Sequence, residues 1–377
     1  MKKHLCVLLA VCLLFLHAGC AAVQNSTDSS ESTMDTSQLP PETSQSTVTQ
    51  SPMSAVSVPG ITEETVSDDD TPLFQYTYQK MSLVLQDQEV AKKVIQDFTS
   101  RVNATRAAAE NVAELAISAY HGQSNWTPYL YHLAYSPTRI DHGTLSLFGT
   151  NAVFSGGRHP ERTCTSANYD LITGDVLTLA SIMSPTAKAS DFCDLVLKGL
   201  SELGSKKYLY DNYTTTVQQR FTVDPSQDES WYFSQTGLCF YFAPYEIAPY
   251  ASGVIKVEIP FEKLTGLLNK AYFPAERDTA KGSITVTPFS KVDLNKFSQI
   301  AEVIENKNGQ MYMAYSDSTV QDVRIFVSDA ASSYTIFAAY NLTPGDAVMV
   351  QVSDKLKKNI TISYMTGNET VSTPLIA

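Results

Sequence analysis

Residues 231–260, WYFSQTGLCFYFAPYEIAPYASGVIKVEIP, constrain the fold more tightly than any other stretch of the chain. They read as strand, turn, strand, loop, strand. Residues 234–237 (SQTG) supply the first turn, with Gly237 free to take the positive φ that such turns often need. Residues 238–242 are continuously apolar, as expected of a strand buried on both faces. Residues 254–259 alternate, with Ile255, Val257 and Ile259 on one side and Lys256 and Glu258 on the other. Between these strands Pro244 and Pro249 fix φ and remove two backbone donors, which makes residues 243–250 a rigid loop. The loop carries Tyr245, Glu246 and Tyr250. Two readings stand: a recognition surface of two tyrosines and a carboxylate, or a plug at the end of the sheet whose rings are core.

Upstream, residues 73–84 read as a strand, and Asp87 caps a helix from about residue 88 with Val90, Val94, Phe98 and Val102 at four-residue spacing. Residues 107–119 continue as helix until His121 and Gly122. Strands are expected over 129–135 and 144–154, followed by SGGRHPE at 155–161. There Gly156 and Gly157 permit φ values that no other residue takes cheaply, and Pro160 drives His159 toward extended geometry. Arg158 and His159 join the loop residues as candidates for ligand binding. His159 beside Glu161 invites a catalytic reading, yet no serine or cysteine stands in a nucleophile context, and His121, His132 and His142 lack the i, i+4 spacing of a metal pair. No catalytic residue, metal or cofactor is assigned.

Strands at 165–170 and 176–180 should flank a turn at Thr173 and Gly174, in the string NYDLITGDVLTL that includes Asp170. Ser190 caps an amphipathic helix closed by Gly204. Tyr208, Tyr210, Tyr213 and Phe221 lie in a polar, aromatic-rich segment that suits protein or glycan contacts, or equally strand packing. Residues 261–272 read as an amphipathic helix with Leu264, Leu267 and Leu268 inward. The sum is α+β: a mixed or antiparallel sheet with flanking helices over 72–273, divided into a small part (72–125) and a main part (126–273). After a polar linker, residues 283–377 form short strands of a small all-β, sandwich-like domain, with one helix over 292–304.

The N-terminus reads differently. Lys2 and Lys3 precede an apolar run at 5–16 too short to span a membrane comfortably, and Leu16-His17-Ala18-Gly19-Cys20 is similar to a bacterial lipobox. Residues 1–20 are thus a lipoprotein signal peptide and Cys20 the acylated residue, which fixes the chain to the outer face of the cytoplasmic membrane. Residues 21–71, rich in Ser, Thr, Gln and acid, form a disordered tether. The formal net charge of -12 argues against nucleic acid and favours cationic partners. Beyond the leader three cysteines remain, Cys164, Cys193 and Cys239: small buried hydrophobes, or a 164–239 or 193–239 bridge with one thiol left over.

The strings FAPYEIAPYASG, with its Gly253, GGRHPE and NYDLITGDVLTL together resemble the extracytoplasmic domain of unknown function in RsiV-like proteins, over about residues 73–273. One branch of that family, membrane anti-sigma factors, uses the domain to sense lysozyme. The resemblance implies a non-catalytic head that binds lysozyme-like or cell-wall-associated partners. Two other readings are carried. One is an envelope hydrolase acting on peptidoglycan or glycan through His159, Glu161 or Glu246. The other is a structural or adhesion protein.

Overall fold

The computed structural model describes residues 53–204, 208–222, 230–275, 281–304, 308–328, 333–353 and 359–375. The expected leader, Cys20 and the tether as far as residue 52 lie outside the described residues. A five-stranded sheet runs in the order β2 (Gly60–Val66), β3 (Pro72–Gln79), β5 (Tyr129–Ile140), β6 (Thr144–Phe154), β7 (Glu161–Asp170). Only β3 and β5 pair parallel. A parallel pair needs a crossover, and here α1 (Gln88–Ala104) and α2 (Arg106–Ala119) provide it. The Asp87 carboxylate caps α1 by accepting from the Glu89 and Val90 amides, as expected. Val94, Phe98 and Val102 of α1 pack on Leu133, Tyr135, Leu145, Leu147 and Tyr169, which all point to one face of the sheet. Residues 72–125 are therefore part of the main sheet and its helical layer, not a separate lobe.

The central stretch forms β8 (Trp231–Phe233), β9 (Gly237–Phe242) and β10 (Ile255–Pro260), an antiparallel sheet. Its inner face, with Trp231, Phe233, Phe240, Phe242 and Val257, packs on α4 (Ala189–Gly204) and α5 (Tyr213–Thr222). Gly237 is required for a reason other than the expected one. Its φ is not left-handed, but a Cβ there would stand 2.2 Å from the Ile259 carbonyl oxygen. Among the described residues, β8 has a strand on one side only. Its other edge meets the outer face of the five-stranded sheet, where the Phe233 amide donates to Ser146 Oγ (3.1 Å) and the Trp231 carbonyl accepts from Asn168 Nδ2 (3.0 Å). Ser146 Oγ in turn donates to Asn168 Oδ1 at 2.6 Å. Both side chains are buried, so each bond is made out of water.

The C-terminal strands make two further sheets around one apolar cluster. The first runs β18 (Glu369–Pro374), β17 (Ile360–Thr366), β14 (Val320–Ser328), β15 (Ser333–Leu342), β1 (Ala55–Ser57), β4 (Ser82–Val84). The second runs β11 (Ile284–Pro288), β13 (Gln310–Ser316), β16 (Asp346–Val352), β12 (Gln299–Ile304). The all-β, sandwich-like expectation holds, within an α+β whole, but two boundaries are corrected. The tether cannot extend to residue 71: Met53, Ala55, Val56 and Val58 are buried, β1 pairs with β15 and β4, and β2 edges the main sheet. The C-terminal module also begins earlier than residue 283, because β1 and β4 complete it. A Pro137 bulge in β5 provides a further tie: the Pro137 and Thr138 carbonyls each accept from Arg324 of β14 at 2.9 Å.

Four local expectations are also corrected. Residues 176–180 give one bridge, from Val176 to Tyr169, and then α3 (Leu179–Ile182) instead of a strand. Residues 261–272 form two 3₁₀ turns, because Gly266 at φ +84° breaks the helix. Ala301 and Val303 alternate inward, so the segment expected to be helical at its end forms β12, parallel to β16. Residues 213–222 are helical, and α4 starts at Ala189, before the expected cap Ser190, where the Lys188 amide donates to Asp191.

Asn168→Ala should lower stability by about 2 kcal/mol, the penalty for orphaning a buried carbonyl and hydroxyl. Denaturant titration reads it as a lower midpoint at unchanged slope.

Candidate functional site

The loop between β9 and β10 resolves the two readings by dividing the labour among its residues. Ile247 and Ala248 are fully buried and plug the end of the three-stranded sheet. The tyrosines are not core: Tyr245 is 59% exposed. Two backbone bonds, Tyr245 N to Ala248 O at 3.0 Å and Glu246 N to Ala243 O at 3.1 Å, hold the turn closed. Tyr245 sits at φ +72°, in the left-handed region, which costs a non-glycine residue about 1–2 kcal/mol. A bulky side chain held there and pointed at solvent is a strained arrangement of the kind that concentrates at functional positions.

Glu246 is committed to the loop itself. Its carboxylate accepts from the Ala243 amide (2.9 Å) and pairs with Arg220 of α5 at 3.7 Å. Arg220 also donates to the Tyr241 and Ser230 carbonyls and lies 4.8 Å from the Phe242 ring centre, so it ties helix, strand and loop together. Glu246 is thus a positioning residue for Tyr245, not a free recognition group.

The turn between β6 and β7 comes up against this loop. Tyr250 Oη donates to the Pro160 carbonyl at 2.8 Å, and the His159 ring stacks on Tyr250 with centroids 4.1 Å apart and planes at 22°. The Tyr245 ring centre lies 5.5 Å from that of Tyr250, with planes at 35°. Arg158 is exposed on the same turn. Gly156 takes φ +95°, and an added Cβ would meet Tyr129 Oη at 2.6 Å; Gly157 stays outside the left-handed region. At the base of β7, Asp170 caps its own turn by accepting from the Ile172 and Thr173 amides.

So four of the five expected residues, Tyr245, Tyr250, His159 and Arg158, come together as an exposed aromatic and basic platform braced by the fifth. Tyr208 was flagged in the sequence only as one of an aromatic-rich segment. It is 86% exposed, and Tyr210 two residues on donates its amide to Ile247 O (2.9 Å), which brings this segment alongside the loop. Nothing local in the sequence links residues 208 and 247. The platform offers flat ring faces and amphipathic hydroxyls for binding. Among the described residues, no three His, Cys, Asp or Glu side chains converge as metal ligands.

Behind the platform, Tyr232, Cys239 and Tyr241 on the outer face of the three-stranded sheet pack with Phe148 and Cys164 on the main sheet. All three described cysteines are free. Burial pushes the Cys164 and Cys239 thiols up to about 11 and also raises Cys193.

Residues 190–262 match the family model described as protein of unknown function (DUF3298). The match spans α4 to β10 and contains the whole 243–250 loop. Among solved structures, a DUF3298 family member from Bacteroides fragilis is 18% identical, with 57% of this chain and 94% of that one covered at a TM-score of 0.39. A DUF3298 family protein from Pseudomonas aeruginosa is 16% identical, with 59% and 97% covered and the same TM-score of 0.39. No curated protein matches the chain significantly.

Two measurements test this geometry. Tyr245→Gly should hold or raise the thermal midpoint, because it removes left-handed strain, whereas Gly253→Ala, at φ +66° and ψ -155° in a region that essentially only glycine adopts, should cost about 1–3 kcal/mol. The thiols should resist iodoacetamide at pH 8 in the folded protein and react on unfolding. Because the folded thiols hold their protons to a higher pH than the unfolded ones, their stabilising contribution is complete below about pH 9 and is lost as pH rises toward 11.

Proposed function

We propose that this chain is a surface-anchored, non-catalytic binding protein. A lipid on Cys20 holds it at the outer face of the membrane, and its DUF3298-containing head binds a basic extracellular protein of the lysozyme type. The observation that carries the reading is Tyr245: a bulky ring kept exposed in a left-handed backbone, with Glu246 and Arg220 bracing the turn and Tyr250 and His159 extending the surface. Packed aromatic side chains of this kind are the usual anchors of protein interfaces. Two further facts support it. The formal charge of -12 would steer a cationic partner inward. The loop that resembles the RsiV-like lysozyme sensors lies inside the matched DUF3298 segment. Among the described residues no helix is long and apolar enough to cross a membrane.

The test is retention of lysozyme on the immobilised protein, carrying residues 21–377, at moderate salt. Micromolar binding is expected, with Tyr245→Ala and His159→Ala each weakening it by about tenfold or more, the range of an interface anchor. Absence of retention at micromolar protein, or equal retention by both variants, would overturn the reading.

A further inference from the structure

A concave surface lies apart from the platform, where the main sheet, the three-stranded sheet and the C-terminal module meet. It is a cleft of about 690 Å³, within the size range of small-molecule sites. One wall is the outer face of β5, β6 and β7, with Phe148, Thr150 and Arg162; a second is the β8–β9 turn with Tyr232, Gln235 and Lys256 of β10; the third is β14 and β15, with Arg324, Tyr334 and Thr335.

Its charge is opposite to that of the protein. Among the described residues that line it there are three cations besides a histidine and no carboxylate, although the chain carries a formal charge of -12. Arg324 is spent on Asp322 and on the β5 carbonyls. Arg162 and Lys256 have no ion-pair partner among the described residues. Lys256 Nζ instead sits 3.9 Å above the Phe148 ring and 5.5 Å from Tyr232. The nearest acid on that strand, Glu258, is taken by the hydroxyls of Ser234 and Thr236. Gln235 adds a buried side-chain N–H with no partner among the described residues. Such a group costs free energy unless something completes it.

We propose that this cleft is a separate binding site for a small carboxylate-bearing saccharide. Arg162 and Lys256 take the carboxylate by charge-assisted hydrogen bonds. Gln235 and the threonine hydroxyls of the walls pair with sugar hydroxyls, and the Tyr334 ring lies against the apolar face of a pyranose. A phosphate is provided for less well: every lining residue lies on a strand or a turn, and no helix N-terminus, the usual phosphate cradle, opens into the cleft. The site needs the C-terminal module for its third wall, which gives that module a role in binding.

The test is calorimetric titration of the protein with three probes: a glucuronic acid-bearing disaccharide, its neutral glucose counterpart and inorganic phosphate. The acidic disaccharide should bind at least about tenfold more tightly than the other two, the value of one charged hydrogen bond. Lys256→Met and Arg162→Gln should each bring it down toward the neutral sugar, with the thermal midpoint unchanged. Should Lys256→Met fail to fold, Arg162→Gln, which alters an exposed side chain, reads the site alone. Tyr245→Ala should leave this binding intact, so loss of lysozyme retention and loss of saccharide binding are separable. Equal affinity for the acidic and neutral sugars, indifference to Arg162→Gln, or no binding at millimolar probe would overturn the proposal. Phosphate competing as well as the acidic disaccharide would leave a plain anion site and remove the saccharide assignment.

Discussion

The arrangement of the head rests on how the open edge of β8 is closed. A three-residue strand with one neighbour exposes backbone donors and acceptors, and inside a protein these must be paired. Here they are paired by side chains, not by another strand: Ser146 receives the Phe233 amide and Asn168 donates to the Trp231 carbonyl. That joint sets the spacing between two sheets that share no ladder. Because Asn168 lies on β7 and the β6–β7 turn leads into that strand, the same register that seats Asn168 under Trp231 also brings His159 over Tyr250. It leaves the Phe148 and Tyr232 rings 5.2 Å apart and tilted by 43°, with Lys256 Nζ over Phe148. The platform and two walls of the cleft therefore meet across one pair of buried polar residues, while Arg324 on the β5 bulge sets the third wall.

Much of this was legible in the chain where a local period carries the information. The alternation of Ile255, Val257 and Ile259 assigned the faces of β10 correctly, and Asp87 with the Val90, Val94, Phe98 series fixed the first helix. The candidate loop was legible because prolines at 244 and 249 are unambiguous. Three kinds of fact were not. β1 is too short to show a period, and its apolar residues sit among serines and threonines; only pairing with β15, far away in sequence, makes it a strand. Tyr245 was readable as a candidate, but its left-handed backbone is set by the closed turn, and tyrosine, unlike glycine, asparagine or aspartate, does not announce such a conformation. The role of Gly237 was misassigned because a turn sequence suggests φ, whereas the actual demand is close approach of the Ile259 carbonyl. The same limit explains why Glu246 looked like a recognition group: its partner Arg220 lies on a helix that read as an irregular aromatic segment.

The two binding surfaces differ in chemistry as well as place. The platform is exposed, aromatic and built almost wholly from the segment that the family model matches and one neighbouring turn. The cleft is concave, cationic and shared among three sheets. On a chain of formal charge -12, a recess lined by cations and no described carboxylate favours anionic ligands there.

The position of β1 bears on mechanics. It lies between β15 and β4, antiparallel to both, and Tyr340 donates its amide to Ser54 O just ahead of it. A pull applied to the chain N-terminal to Met53 would load this inserted strand first. Its ladder bonds on both flanks would share the tension along the strand and resist it in shear, so the aromatic loop and the cleft would stay folded until β1 was drawn out.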